Sequence, residues 1–114
     1  MSKENYLFYL EDIEEAINNI VEYTKGYDKE SFLTDKKTLD AVLRNLSIIG
    51  EAANHIPIDI QNKHPKIDWT AIIGLRNRVI HDYFGIDYNI IWFILKEELF
   101  SLSVEIKEVI RGED

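Results

Sequence analysis

Apolar residues recur along four segments of the chain at the three- and four-residue steps of an amphipathic α-helix. In the first segment this stripe is formed by Tyr6, Leu10, Ile13, Ile17, Ile20 and Val21. Lys25-Gly26 is expected to end this helix, because glycine readily adopts the left-handed conformation that closes a helix. Alternation of apolar and polar residues nowhere runs long enough to predict a sheet. The pattern therefore predicts an all-α fold.

The second helix is predicted to begin at Thr34-Asp35, where either side chain can accept a free backbone N–H. It must end near Ile56, because the residue before Pro57 is disfavoured in helical geometry. The stretch from 57 to 67 is expected to be a connector with room for one short helical turn. The buried stripe of this helix is predicted to contain Leu39, Val42, Leu43, Leu46, Ile49 and Ala53.

A third helix is predicted from Trp69, with Asp68 as its N-cap and Gly85 as its end. Asp87 would then cap a fourth helix running to about Arg111. Four helices joined by short loops predict an antiparallel up-and-down four-helix bundle, with a short extra helical turn in the connector. The chain has 114 residues, close to the commonest domain size, so residues 1–114 are expected to form a single domain.

The fourth helix is apolar on two sides, and a helix of this kind is usually buried on both. The first side contains Trp92, Leu95, Leu99, Leu102, Ile106 and Val109. The second side contains Ile90, Phe93, Ile94, Phe100 and Val104. In so small a bundle the second side is predicted to contact another subunit, which favours a homodimer. The alternative is that some of these side chains are simply exposed, as single apolar residues often are.

Composition and charge limit the classes of function. The chain has no cysteine, which excludes disulfides and thiolate metal sites and fits a reducing cytoplasm. Its longest apolar run, residues 90–95, is too short to span a bilayer, so a cytoplasmic protein without membrane attachment is expected. The formal net charge of −8 argues against a broad nucleic-acid-binding surface. It remains compatible with a local pocket for one or two phosphates, and with a basic partner.

Arg76 occupies the middle of the apolar stripe of the third helix. Burial of its guanidinium without a partner would be costly, so it must reach a carboxylate, a subunit boundary or an anionic ligand. An ion pair with Glu51 or Asp40 and the binding of a phosphate use the same donors, and both interpretations stay open. The residues within about 60° of Arg76 on an ideal helix are Trp69, Ile72, Ile73, Val79, Ile80 and Tyr83.

His81 is the strongest candidate for acid–base chemistry. It lies about 140° from Arg76 on an ideal helix, with Asn77 one turn before it. Histidine is well suited to proton transfer near neutral pH, although an isolated histidine near a helix end is more often a packing or capping residue. Neither His55 nor His64 has metal-ligand spacing, so neither a metal nor another cofactor is expected.

The motif from Arg76 to Tyr83, Arg-Asn-Arg-Val-Ile-His-Asp-Tyr, resembles the RxxxxHxY signature of the HepT-like toxins of the HEPN superfamily. The segment Leu-Ser-Ile-Ile-Gly-Glu-Ala at 46–52 resembles the family's iGEA stretch. Trp-Thr-Ala-Ile-Ile-Gly-Leu at 69–75 resembles the segment leading into the arginine, and 83–87 with Trp92 follow as in the family. The resemblance covers nearly the whole chain.

This resemblance implies a dimeric, all-α, HEPN-like bundle that cleaves RNA without a metal. Arg76 would hold the phosphate, and His81 would act as base or acid. Asn77 would orient His81 or the phosphate. It also implies a partner, a small MNT-type nucleotidyltransferase antitoxin that transfers AMP from ATP to Tyr83. Two alternatives remain: a non-catalytic HEPN dimer that binds nucleotide or RNA or docks a nucleotidyltransferase, and a structural bundle in which Arg76 pairs with Glu51 and His81 caps a helix.

Overall fold

The computed structural model describes residues 3–81 and 88–113, with the side chains of residues 6–75 and 88–112. Within these ranges the chain contains helices and no strand, which confirms the all-α prediction. The helices are α1 (Lys3–Tyr23), α2 (Lys29–Thr34), α3 (Lys36–Asn54), α4 (Ile58–Lys63), α5 (Trp69–His81), α6 (Tyr88–Phe93) and α7 (Leu99–Glu113). A π-helical segment, Ile94–Glu98, joins α6 directly to α7, and these three elements together are called the last helix.

Helices α1 and α3 are antiparallel neighbours. The Asn19 Nδ2 donates to the Asn45 Oδ1 at 3.2 Å, and the rings of Tyr9 and His55 stack with centroids 4.8 Å apart. The residue numbers thus rise along α3 as they fall along α1. Helix α5 packs on α3, and α7 packs on α1. This is the up-and-down arrangement that the sequence predicted.

The predicted stripes of α1 and α3 form the centre of the core. All six predicted residues of α3 are buried, and so are five of the six on α1. Val21 is the exception, because its side chain is 57% exposed and lines a groove between the end of α1 and the last helix. The prediction that Val21 is buried was wrong because it lies at the edge of the stripe, one residue beyond Ile20.

The last helix contains a change of winding that periodicity did not predict. The Leu99 N–H donates to the Ile94 carbonyl five residues earlier, which is the π-helical pattern. The wider turn allows Ile94, Leu95 and Leu99 all to be buried. Ile94 was predicted to lie on the partner-facing side, and that prediction was wrong because the π segment shifts the phase of the helix. Ile90, Phe93, Phe100 and Val104 are exposed.

Helix α2 was not predicted. Its N-cap Asp28 accepts from the Ser31 N–H and Ser31 in turn accepts from the Asp28 N–H, which forms a capping box. The helix positions the fully buried Phe32 against Trp92, with ring centroids 5.2 Å apart. Helix α4 is the predicted extra turn in the connector, between Pro57 and His64.

Asp35 caps α3, as the sequence predicted. Its carboxylate accepts from the Thr38 N–H at 3.1 Å, from the Thr38 hydroxyl at 2.9 Å and from the Tyr27 hydroxyl. These bonds, that of Tyr27 above all, hold the pKa of the Asp35 carboxyl below its ordinary value of 3.8. The cap joins the start of α3 to the turn after α1, where Gly26 has the predicted left-handed conformation, with φ of 81°.

A buried asparagine generates a prediction about stability. Asn45 is only 5% exposed, and its amide also donates to the Ala41 carbonyl at 2.8 Å. Substitution Asn19→Ala would leave the buried Asn45 Oδ1 without its donor. We expect a loss of about 1–3 kcal/mol in the free energy of unfolding, measured by chemical denaturation.

The neighbouring Asn18 supplies a matched control, because it is exposed on the same helix. We expect Asn18→Ala to change the free energy of unfolding by less than about 0.5 kcal/mol. Equal effects of the two substitutions would contradict the assignment of a stabilising role to the Asn19–Asn45 hydrogen bond.

Candidate active site

Helix α5 carries the motif, and its orientation is fixed at its N-terminal half. The Asp68 carboxylate accepts from the Ala71 N–H at 3.1 Å and caps the helix, as predicted. The Trp69 indole N–H donates to the His64 carbonyl at 3.1 Å. Trp69, Ile72 and Leu75 are buried. These contacts hold one face of α5 towards the core.

Arg76 lies in the helical part of α5, seven residues after Trp69 and four after Ile72. On an α-helix these spacings place the three positions on nearly the same line. The position of Arg76 therefore continues a line whose earlier members are buried. Its side chain is outside the described residues. The proposed carboxylate partners differ in burial, because Asp40 is exposed and the Oε2 of Glu51 is buried.

Asn77 and His81 lie one turn apart near the end of the described part of α5. Gly74 and Thr70 precede them on the same side of the helix, and Thr70 is exposed. A Cβ atom at Gly74 would meet no described atom within 4 Å beyond its chain neighbours and the backbone of its own helix. The helix side that leads to His81 is thus open at Gly74.

Several predicted features lie outside the described residues. Tyr83, Gly85 and Asp87 fall in the segment 82–87. The acceptor role of Tyr83, the end of the third helix at Gly85 and the cap at Asp87 therefore stay predictions. Arg76, Asn77 and His81 all lie on α5, as the spacing predicted, and together they span about one and a half turns of that helix.

The remaining histidines do not form a second site of comparable chemistry. His55 is exposed at the end of α3, where its Nδ1 lies 2.8 Å from the Glu51 carbonyl oxygen. His64 ends α4. Among the described side chains, those of residues 6–75 and 88–112, no group of three or more His, Asp or Glu is arranged to hold a metal ion.

Exposed apolar side chains occur near the end of the bundle where α1 finishes and the last helix begins. Val21 and Phe100 line the same groove between these helices, and Phe100 is 76% exposed. Ile90 and Phe93 are exposed further towards the start of the last helix. In an up-and-down bundle the C-terminal end of α5 lies at this same end. Sequence periodicity placed Ile90, Phe93, Phe100 and Val104 on the second apolar side of the last helix, but it wrongly added Ile94 and did not predict the exposure of Val21.

No helix in the described part of the chain is both long and apolar enough to cross a membrane.

Comparison with known proteins gives consistent matches along the chain. The family model described as "Ribonuclease HepT-like" matches residues 13–109. The "Putative RNase MJ1380" of Methanocaldococcus jannaschii is 42% identical over 109 residues, covering 96% of this chain and 100% of that protein. The "Probable ribonuclease HepT" of Thermococcus cleftensis is 46% identical over 101 residues, covering 89% and 92%. No solved structure matches the chain.

Gly74 generates a prediction about α5. Glycine within a helix costs about 0.5–1 kcal/mol relative to alanine, and the space around Gly74 accommodates a methyl group. We expect Gly74→Ala to raise the free energy of unfolding by about this amount, measured by chemical denaturation.

Gly26 provides the contrasting control, because its φ of 81° strains any residue with a side chain. We expect Gly26→Ala to lower the free energy of unfolding by about 1 kcal/mol. A loss of stability on Gly74→Ala would contradict the open space at this position.

Proposed function

Because the chain belongs to the Ribonuclease HepT-like family, we propose that it is a metal-independent RNA-cleaving toxin with Arg76, Asn77 and His81 in its active site. The observation that carries this proposal is the position of Arg76, on the line of α5 that contains the buried Trp69 and Ile72. A guanidinium at such a position requires an anion. A phosphate of RNA is an anion that this fork of donors can bind bidentately.

The proposed reaction needs no metal. A base removes the proton of the RNA 2′-hydroxyl, and the 2′-oxygen attacks the adjacent phosphorus. The bond from phosphorus to the 5′-oxygen breaks, and an acid protonates that leaving oxygen. The products are a 2′,3′-cyclic phosphate and a 5′-hydroxyl. His81 supplies proton transfer, Arg76 stabilises the charge that develops on the phosphoryl oxygens, and Asn77 orients His81 or the phosphate.

We further propose that the active form is a homodimer. One histidine cannot be base and acid at the same moment, whereas two copies of His81 facing one cleft can divide these roles. This arrangement is supported by exposed apolar side chains at the end of the bundle that carries the motif, among them Val21, Phe93 and Phe100. Their burial in a dimer would favour association. The charged groups that line the groove of Val21 and Phe100 are mixed, Glu22 with Lys25 and Lys96.

The proposed control of this activity is a chemical modification by a nucleotidyltransferase antitoxin. Transfer of AMP from ATP would join the Tyr83 oxygen to the α-phosphorus and release pyrophosphate. Tyr83 lies two residues beyond His81, so the added group would be bulky and negatively charged beside the site. It would repel the RNA phosphates and occupy their space.

The nuclease site is tested by induced expression and by RNA cleavage with purified protein. We expect the wild type to stop growth and degrade RNA, and Arg76→Ala and His81→Ala to abolish both. The loss of an oxyanion-stabilising cation alone corresponds to about 10²–10³ in rate. Growth curves and RNA gels measure the outcome, and circular dichroism checks folding.

Arg78→Ala is the matched control, because Arg78 lies two residues beyond Arg76 and about 200° around the helix. It should remain toxic and active. If the wild type, Arg76→Ala and His81→Ala are all folded and all harmless, the nuclease proposal fails. The net charge of −8 would then favour the alternative, a non-catalytic helical dimer that docks a nucleotidyltransferase.

The dimer generates a separate prediction at Phe100. Phe100→Asp should leave the fold intact, because this side chain is 76% exposed in the single chain. It should convert the dimer to a monomer in sedimentation velocity and remove RNA cleavage. Phe8→Asp is the control and should behave as the wild type, because Phe8 is also exposed, at 62%, but lies near the start of α1. An active monomer of either variant would contradict a cleft that needs two subunits.

A further inference from the structure

A groove separates α5 from the π segment and α7. Its volume is about 350 Å³, which is space for a few side chains of another molecule. The floor is apolar and consists of Ile72, Leu75, Ile94, Leu99 and Leu102. Four of these five residues belong to the buried core, and Leu102 is half-buried. Ala71 lies at the exposed edge on the α5 side.

The rim of this groove is acidic. Glu97 and Glu98 come from the π segment, Glu105 comes from α7, and Asp68 lies at the start of α5. Among the described residues that line the groove, Lys66 is the cation. The Asp68 carboxylate caps α5, whereas none of the side chains that the structure describes forms an ion pair with the three glutamates. Glu97 and Glu98 are exposed, and Glu105 is half-exposed.

The charge of the rim selects among the molecules that could occupy the groove. RNA phosphates would be repelled by the glutamates. A second copy of this chain carries a net charge of −8, so self-association through an acidic rim is unfavourable as well. The occupant must cover the apolar floor and carry positive charge at the acidic rim. A cationic protein segment with an apolar face does both, because its apolar side chains cover the floor and its cations lie beside the carboxylates.

We propose that this groove is the docking site for an amphipathic helix of a basic partner protein. The spacing of the glutamates specifies the helix further. Glu98 and Glu105 are seven residues apart along the last helix, which corresponds to about 10.5 Å of helical rise. Two lysines or arginines seven residues apart on the partner helix match this distance. Apolar residues three and four positions after the first cation lie between them and reach the floor.

The groove reaches the motif. Leu75, which lines it, is the residue immediately before Arg76. Four residues that line the groove come from the π segment and from Leu99, which directly follows it. A helix seated there would lie against α5 beside the start of the motif. The step from docking to control of RNA cleavage rests on the proposed function, whereas docking itself does not.

The experiment uses a labelled synthetic helical peptide of about 18 residues, with leucines on one face and two lysines seven residues apart beside it. Binding to the full chain is measured by fluorescence anisotropy. We expect the Glu98→Lys, Glu105→Lys double variant to bind at least about tenfold more weakly than the wild type. Ala71→Trp should also weaken binding, because it fills the groove from an exposed position.

The matched control is Glu11→Lys, Glu15→Lys, which makes the same change of charge at exposed positions of α1. This variant should bind within about threefold of the wild type, and a peptide with both lysines replaced by glutamate should not bind. Equal weakening in the groove and control variants would overturn the proposal, since it would indicate general attraction to an acidic protein. So would wild-type binding by Ala71→Trp. Neither result bears on RNA cleavage, which Arg76→Ala tests separately.

Discussion

Helix α3 packs against both α1 and α5, and the positions of both helices depend on its apolar residues. The buried Asn45 on this helix accepts a hydrogen bond from Asn19 of α1, which fixes the register of the α1–α3 pair. The burial of Trp69, Ile72 and Leu75 determines the rotation of α5 about its own axis. Since Arg76 follows in the same helix, the packing of α3 also determines which way the motif faces.

An acidic protein that cleaves RNA must separate its charges in space. In this chain the proposed phosphate ligand, Arg76, lies on the inward line of α5. Glu97, Glu98 and Glu105 line the neighbouring groove instead, on the π segment and α7. The position of Arg76 suits an anion, and the glutamates of the groove suit a cation. The proposed substrate and the proposed partner protein would therefore bind adjacent surfaces of one helix, with the partner next to the proposed RNA-cleaving site.

The sequence predicted the parts of the fold that depend on local pattern. The stripes of α1 and α3 and the caps Asp35 and Asp68 were confirmed, because each depends on residues within a few positions of one another. The exposure of Val21 and the burial of Ile94 were not predicted, because both depend on tertiary packing and the burial of Ile94 depends also on the π segment. Helix α2 was too short to show a period. The order of Arg76, Asn77 and His81 on one helix could be predicted from the sequence. The acidic groove could not, because segments distant in sequence form it by packing together.

The most direct test of the account is the identity of the RNA ends that the purified protein produces in excess chelator. The account predicts that cleavage continues without free divalent metal and leaves 2′,3′-cyclic phosphate and 5′-hydroxyl ends, detected by mass spectrometry. The same ends should disappear with His81→Ala. Cleavage that stops on chelation, or that leaves 5′-phosphate ends, would contradict a metal-independent site in which His81 transfers the proton of the 2′-hydroxyl.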